Sequence, residues 1–208
     1  MKRIILKPRS EFSFLLPEMK EGDVLMHFTP HPQGKTVRYV ELNKDKFEIY
    51  SKPHWIECGL MEKGLLHDLD LINEHLDEIS CYEALGEFHS VKERNIKKKD
   101  FDYIGYAAKR LIYILYRMLK NDSFLEINLV GLSISSMSSM FDYVLDTHDK
   151  HPTFSCLFIL YVDEEFYHTI DSPSIIVSRE NINNILKVMV AFFSYNKKVV
   201  EMKRHYSN

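Results

Sequence analysis

Two periodicities divide the chain. Over residues 1–57 the apolar and β-branched positions come in short runs: Arg3 to Leu6, Phe12 to Leu16, Val24 to Phe28, Val37 to Leu42 and Phe47 to Tyr50. Runs of this length between turn-forming clusters predict strands. The polar tetrapeptide Asn43-Lys44-Asp45-Lys46 predicts a hairpin joining the last two. Pro30, Pro32 and Gly34 mark a loop ahead of that hairpin, and Pro53 ends it.

From Leu65 the period changes. Leu65, Leu69, Ile72, Leu76 and Ile79 recur at steps of four and three, which places them on one side of a helix. A polar connection from about Gly86 to Asp100 leads to a second predicted helix, Phe101 to Lys120, with Ile104, Ala108, Leu111, Leu115 and Met118 on its buried stripe. Phe124 to Val130 is rich in β-formers, Ser133 to Asp149 carries Met137, Met140, Phe141 and Val144 at helical spacing, and Phe154 to Val162 is almost continuously apolar. A strand–helix–strand unit whose strands are apolar throughout predicts a parallel pair covered on both faces. Ser174 to Val177 reads as one more strand, and Ser178 as the N-cap of a last helix reaching about Lys198. The expected architecture is a mixed α/β (α+β) single domain over residues 1–208. It has a strand-rich part with a hairpin at 1–57 and a helical and βαβ part at 62–208, in which central helices, a C-terminal strand–helix–strand unit and a terminal helix complete one sheet-plus-helices domain.

Composition adds bounds rather than function. With 45% hydrophobic and 27% charged residues the 208-residue chain has ordinary globular usage. Lys7 and Arg9 interrupt the opening apolar residues too early for a signal peptide, and no apolar run approaches the roughly 20 residues of a membrane-spanning helix. Cys58, Cys81 and Cys156 are odd in number and widely spaced, which predicts free thiols in a reducing, cytoplasmic compartment. The formal net charge of -3 gives no global attraction for nucleic acid.

One short motif has the look of catalysis. Leu129-Val130-Gly131-Leu132-Ser133-Ile134-Ser135 stands between a predicted strand and helix and resembles the GxSxG nucleophile elbow of α/β-hydrolases, with Ser135 in place of the last glycine. The resemblance spans Tyr103 to Val162 loosely. It implies Ser133 as nucleophile, the amide of Ile134 as oxyanion donor, and an acid and histidine drawn from Asp163 or Asp171 with His168 or His205. In the plainer reading Gly131 permits a tight turn and Ser133 caps the helix, leaving no catalytic residue.

Other clusters are weaker. His67, Asp70 and Glu74 share one side of a helix but have no convergent partner motif, so no metal is expected. Pro32-Gln33-Gly34-Lys35-Thr36 ends like a phosphate loop, yet Thr29 stands at the first glycine position and a strand follows. No cofactor is expected.

Two surfaces are chemically unusual. Between Glu62 and Glu87 eight acidic residues, Glu62, Asp68, Asp70, Glu74, Asp77, Glu78, Glu83 and Glu87, face a single basic one, Lys63. Concentrated charge of one sign steers an oppositely charged partner. On the next helix Tyr103, Tyr106, Arg110, Tyr113 and Arg117 recur at helical spacing, and tyrosine and arginine are the types that anchor interfaces. The basic run Lys92, Arg94, Lys97, Lys98 and Lys99 just before it suits nucleic acid, the less favoured partner. The expected function is a non-catalytic protein-binding module. Its most concrete version is a cytoplasmic immunity or antitoxin-type protein that blocks a toxin through Asp70, Glu74, Asp77 and the tyrosine–arginine stripe. A small serine hydrolase using Ser133 and a nucleic-acid-associated defence or phage factor are the alternatives, and the sequence leaves oligomeric state open.

Overall fold

The computed structural model describes residues 3–8, 19–30, 37–42, 45–50, 63–79, 95–120, 124–129 and 131–206. Its strands are β1 (Arg3–Pro8), β2 (Met19–Lys20), β3 (Val24–Pro30), β4 (Val37–Leu42), β5 (Asp45–Tyr50), β6 (Phe124–Asn128), β7 (Ser155–Val162) and β8 (Ser174–Ile176). The helices are α1 (Lys63–His67), α2 (Leu69–Glu74), α3 (Tyr106–Leu119), α4 (Ile134–Lys150), α5 (Glu164–Tyr167) and α6 (Ile182–Tyr206), with 3-10 turns at Leu76–Glu78 and Lys98–Tyr103. The expected α+β content is therefore present. The strand expected at Phe12 to Leu16 lies outside the described residues.

The strands form two sheets, ordered β2-β1-β4-β5 and β6-β7-β3-β8. The first is antiparallel and contains the expected hairpin, in which Leu42 pairs with Asp45 and Val37 with Tyr50. In the second, β6 and β7 run parallel, as the strand–helix–strand pattern predicts. β3 also runs parallel to β7, from Val24 opposite Cys156 to Pro30 opposite Val162, and β8 closes its other side antiparallel. A strand from the N-terminal part is thus central to the C-terminal sheet.

β3 is buried at every position because both its faces and both its edges are covered. Its side chains alternate between two clusters. Val24, Met26 and Phe28 join the large core with Leu111, Ile112 and Leu115 of α3, Met137, Phe141 and Val144 of α4, and Ile185 and Met189 of α6. Leu25 points to a smaller cluster with Met19, Phe124, Leu157 and Ile159. At the centre Phe141 meets Phe158 edge to face, ring centroids 4.7 Å apart, a geometry that aligns ring edge with ring face.

The turn into β3 is pinned at Gly22. Its φ is +89°, and a Cβ there would lie 2.5 Å from the Pro152 carbonyl oxygen. The close approach is held by Gly22 donating its amide to Ser155 Oγ at 2.8 Å and accepting from His148 Nε2 at 2.7 Å. Only glycine meets both conditions.

Two predicted helices are interrupted. The Leu65 to Ile79 stripe is buried at Leu65, Leu69, Ile72 and Ile79 as expected, but the backbone breaks into α1, α2 and a 3-10 turn. Asp68 leaves helical geometry at φ -102° and ψ 24° as N-cap of α2, while its carboxylate is tied to Lys120. The helix expected from Phe101 starts at Tyr106, because Gly105 is extended at φ -59° and ψ 151° and Lys98–Tyr103 forms a 3-10 turn. The last helix runs beyond Lys198 to Tyr206, and Ser178 Oγ accepts from the Asn181 amide in the turn that precedes it.

Candidate functional site

Asp68 joins the two surfaces that the sequence singles out. Its Oδ2 lies 2.7 Å from Lys120 Nζ and accepts from the Tyr116 hydroxyl at 3.3 Å, fastening the start of α2 to the end of α3. The hydrogen bond from Lys120 holds the Asp68 carboxyl below its ordinary range, and the same bond raises Lys120. Asn73 makes a second tie: its Nδ2 donates to the Ile96 carbonyl at 3.1 Å while its Oδ1 accepts from the Ile96 amide at 2.7 Å. A side chain here replaces the backbone partner of a β-bridge and holds the segment before the Lys98–Tyr103 turn against α2.

From this support the acidic side chains face outward. Asp70 and Glu74, one turn apart on α2, and Asp77 in the following 3-10 turn are all exposed, as is Glu78, whose Oε1 pairs with His75 Nδ1 at 2.7 Å. These carboxylates form a row because α2 and its 3-10 extension bury Leu69, Ile72 and Ile79 and turn the remaining positions to solvent.

The tyrosine–arginine stripe divides. Arg110 is only 4% exposed and belongs to the interior, so the five residues do not share one open face. α3 buries Ala108, Leu111, Ile112, Ile114, Leu115 and Tyr116, a wider arc than the stripe expected from sequence, and Arg110 falls at its edge. Tyr113 and Arg117 remain half-buried on the outer side. Arg117 Nη1 donates to the Tyr113 hydroxyl at 3.0 Å, and its guanidinium carbon sits 5.7 Å from that ring's centroid. Tyr103 ends the 3-10 turn and Tyr106 opens α3, but their side chains lie outside the described part of the structure.

Ser133 is the N-cap of α4. At φ -73° and ψ 161° it has ordinary extended geometry, and its Oγ accepts from the Ser136 amide at 3.1 Å. Its other hydroxyl partners are Ser135 Oγ at 3.0 Å and Ser136 Oγ at 2.8 Å. A nucleophile elbow holds its serine in a strained turn. The positive φ in this turn, +79°, belongs to Gly131. Asp163 is the N-cap of α5 and His168 its C-cap.

Among the described residues no group of three or more His, Cys, Asp or Glu side chains is placed to hold a metal ion, and no helix is long and apolar enough to cross a membrane. Cys156 is a free, buried thiol, raised well above the ordinary thiol range by burial. Cys58 and Cys81 lie outside the described residues, as do Pro32 to Thr36 and, of the basic run, Lys92 and Arg94; Lys97, Lys98 and Lys99 are described and exposed. Comparison with protein families, curated proteins and solved structures finds no match for this chain.

One surface feature has no counterpart in the sequence-based expectations. The large hydrophobic residues that are exposed among those described are Ile176 at 59%, Val190 at 48% and Phe193 at 36%. Val190 and Phe193 are three apart on α6. The repeat Leu186, Val190, Phe193 is readable in the sequence, but it is masked by the buried repeat Ile185, Met189, Phe192 that runs beside it.

Proposed function

We propose that this protein is a non-catalytic protein-binding module, in its most concrete form a cytoplasmic immunity-type protein that occupies and blocks a toxin. The observation that carries this reading is the row of exposed carboxylates Asp70, Glu74 and Asp77, fixed through Asp68 to the helix that presents the pre-ordered Tyr113–Arg117 pair. Such a row raises the encounter rate with a basic surface. An aromatic–guanidinium pair already held in one rotamer loses little side-chain entropy on docking and supplies the anchor. The engagement of the Ser133 hydroxyl as a helix cap accounts for the glycine–serine turn without catalysis.

The test is a search of the neighbouring genes for a toxin, followed by co-expression of that toxin with this protein. Wild-type protein rescues growth, and the Tyr113→Ala/Arg117→Ala double variant, folded by its thermal melt, does not. Reversing Asp70 and Glu74 to Lys slows association and reduces its salt sensitivity. Ser133→Ala rescues fully while losing about 0.5–2 kcal/mol of stability, the usual cost of a lost cap. Covalent labelling of Ser133 by a fluorophosphonate, or rescue by the folded Tyr113→Ala/Arg117→Ala variant, overturns the reading.

A further inference from the structure

α6 carries two apolar seams, and the fold uses one of them. Ile185, Met189 and Phe192 are buried in the large core, Phe192 against Phe166 with centroids 5.1 Å apart. Advanced by one residue, the same spacing repeats as Leu186, Val190 and Phe193. This places a second line about 100° around the helix, half-buried at Leu186 and exposed at Val190 and Phe193. A helix with a wide apolar arc of this kind suits a position with packed neighbours on two sides.

The charges that α6 itself carries have one sign among the side chains described. Every charged residue of α6 whose side chain is described, Lys187, Lys197 and Lys198, is exposed and basic, and among the described residues none of the three has an ion-pair partner. Lys187 and Lys197 flank the seam one residue after Leu186 and four after Phe193. A second α6 laid along this one would bring lysines together. The exposed acidic row of another copy is carried on the six-residue α2, too short to fill a seam spanning two turns and its flanks. A lipid surface needs a broader apolar face than Val190, Phe193 and a half-buried leucine provide.

We infer that the outer seam of α6, Leu186, Val190 and Phe193 flanked by Lys187, Lys197 and Lys198, docks an amphipathic helix of a partner protein that bears acidic residues beside its apolar stripe. The geometry is that of helix recognition by anchors at i, i+4 and i+7, with the flanking charges setting partner choice. This surface is distinct from the acidic row and does not rest on the toxin-blocking reading.

The experiment uses the full chain and two designed peptides of about three heptads with identical leucine stripes, one flanked by glutamate and one by lysine. Fluorescence anisotropy is expected to show saturable, salt-weakened binding of the glutamate peptide alone. Val190→Asp/Phe193→Asp, on exposed positions and checked by thermal melt, is expected to weaken it at least about 30-fold. Lys187→Glu/Lys197→Glu/Lys198→Glu is expected to exchange the preference toward the lysine peptide. The inference is overturned if neither peptide binds, if the aspartate variant binds equally, or if charge reversal leaves the preference unchanged. Phe193-dependent sedimentation with phosphatidylcholine–phosphatidylserine vesicles would instead assign the seam to lipid. A dimer lost in the aspartate variant would assign it to a second copy.

Discussion

Tyr143 shows how a single buried group ties this fold to pH. It lies in the core side of α4, and burial raises its phenol above the ordinary value of 10.0, with the nearby Glu78 charge adding to the rise and Thr147 partly opposing it. The folded chain excludes the tyrosinate while the unfolded chain accepts it, so the unfolded state loses this proton first. Its contribution to stability is complete below about pH 10 and declines above it, by at most about 1.4 kcal/mol per pH unit for one proton. Urea midpoints measured from pH 8 to pH 11 are expected to fall more steeply for the wild type than for Tyr143→Phe. Parallel slopes would show that Tyr143 ionises without opening the fold. The identity of Tyr143 is plain in the sequence, but its consequence depends first on its burial in the packed core and then on Glu78, which arrives from a different element.

At the scale of elements, sequence periodicity located the apolar residues well and the backbone breaks poorly. Leu65, Leu69, Ile72 and Ile79 are buried as their spacing predicts. The break at Asp68 reflects a partner, Lys120, that lies more than fifty residues away in sequence and that no local pattern announces. Gly105 was a readable signal of helix interruption, since an extended glycine costs a helix more than it costs a loop. The outward stripe on α3 failed at Arg110 because the width of a buried arc depends on how many neighbours a helix has, and periodicity alone does not count them. Asn73 gives this scale its prediction. Replacing it with Ala removes both bonds to Ile96 and leaves a part-buried amide and carbonyl without that side chain, at a cost of about 1–3 kcal/mol. Denaturant unfolding measures the loss, and hydrogen exchange at Ile96 is expected to rise with it. An unchanged exchange rate would mean that other contacts hold this segment.

Across the whole molecule, the strand-rich and βαβ parts read from periodicity are joined through β3, which belongs to the first in sequence and to the sheet of the second in space. Val24 to Pro30 pairs along its full length with Cys156 to Val162, and the amide of Cys156 donates to the Asp23 carbonyl at 3.0 Å. Sequence patterns carry no record of which distant strand inserts between which, so this placement was not legible. It has a direct test. A fragment of residues 62–208 retains β6, β7 and β8 but lacks the strand between β7 and β8, and it is expected to show no cooperative thermal transition and no near-ultraviolet circular dichroism. Adding a peptide of residues 19–30 is expected to recover part of both signals. Cooperative unfolding of the fragment alone would mean that β3 completes the sheet without being required for it.

The three-residue β8 guards β3. Val177 donates to the Val24 carbonyl at 2.7 Å and Phe28 to the Pro173 carbonyl at 2.8 Å, while Ser174 Oγ and His27 Nδ1 meet at 2.8 Å. If this short strand lifts away, the chain presents a bare ladder of amides and carbonyls on a strand that is otherwise buried throughout, the template on which edge-to-edge aggregation grows. Clumping of this protein is therefore expected to follow how often Ser174, Ile175 and Ile176 let go, and not global unfolding alone.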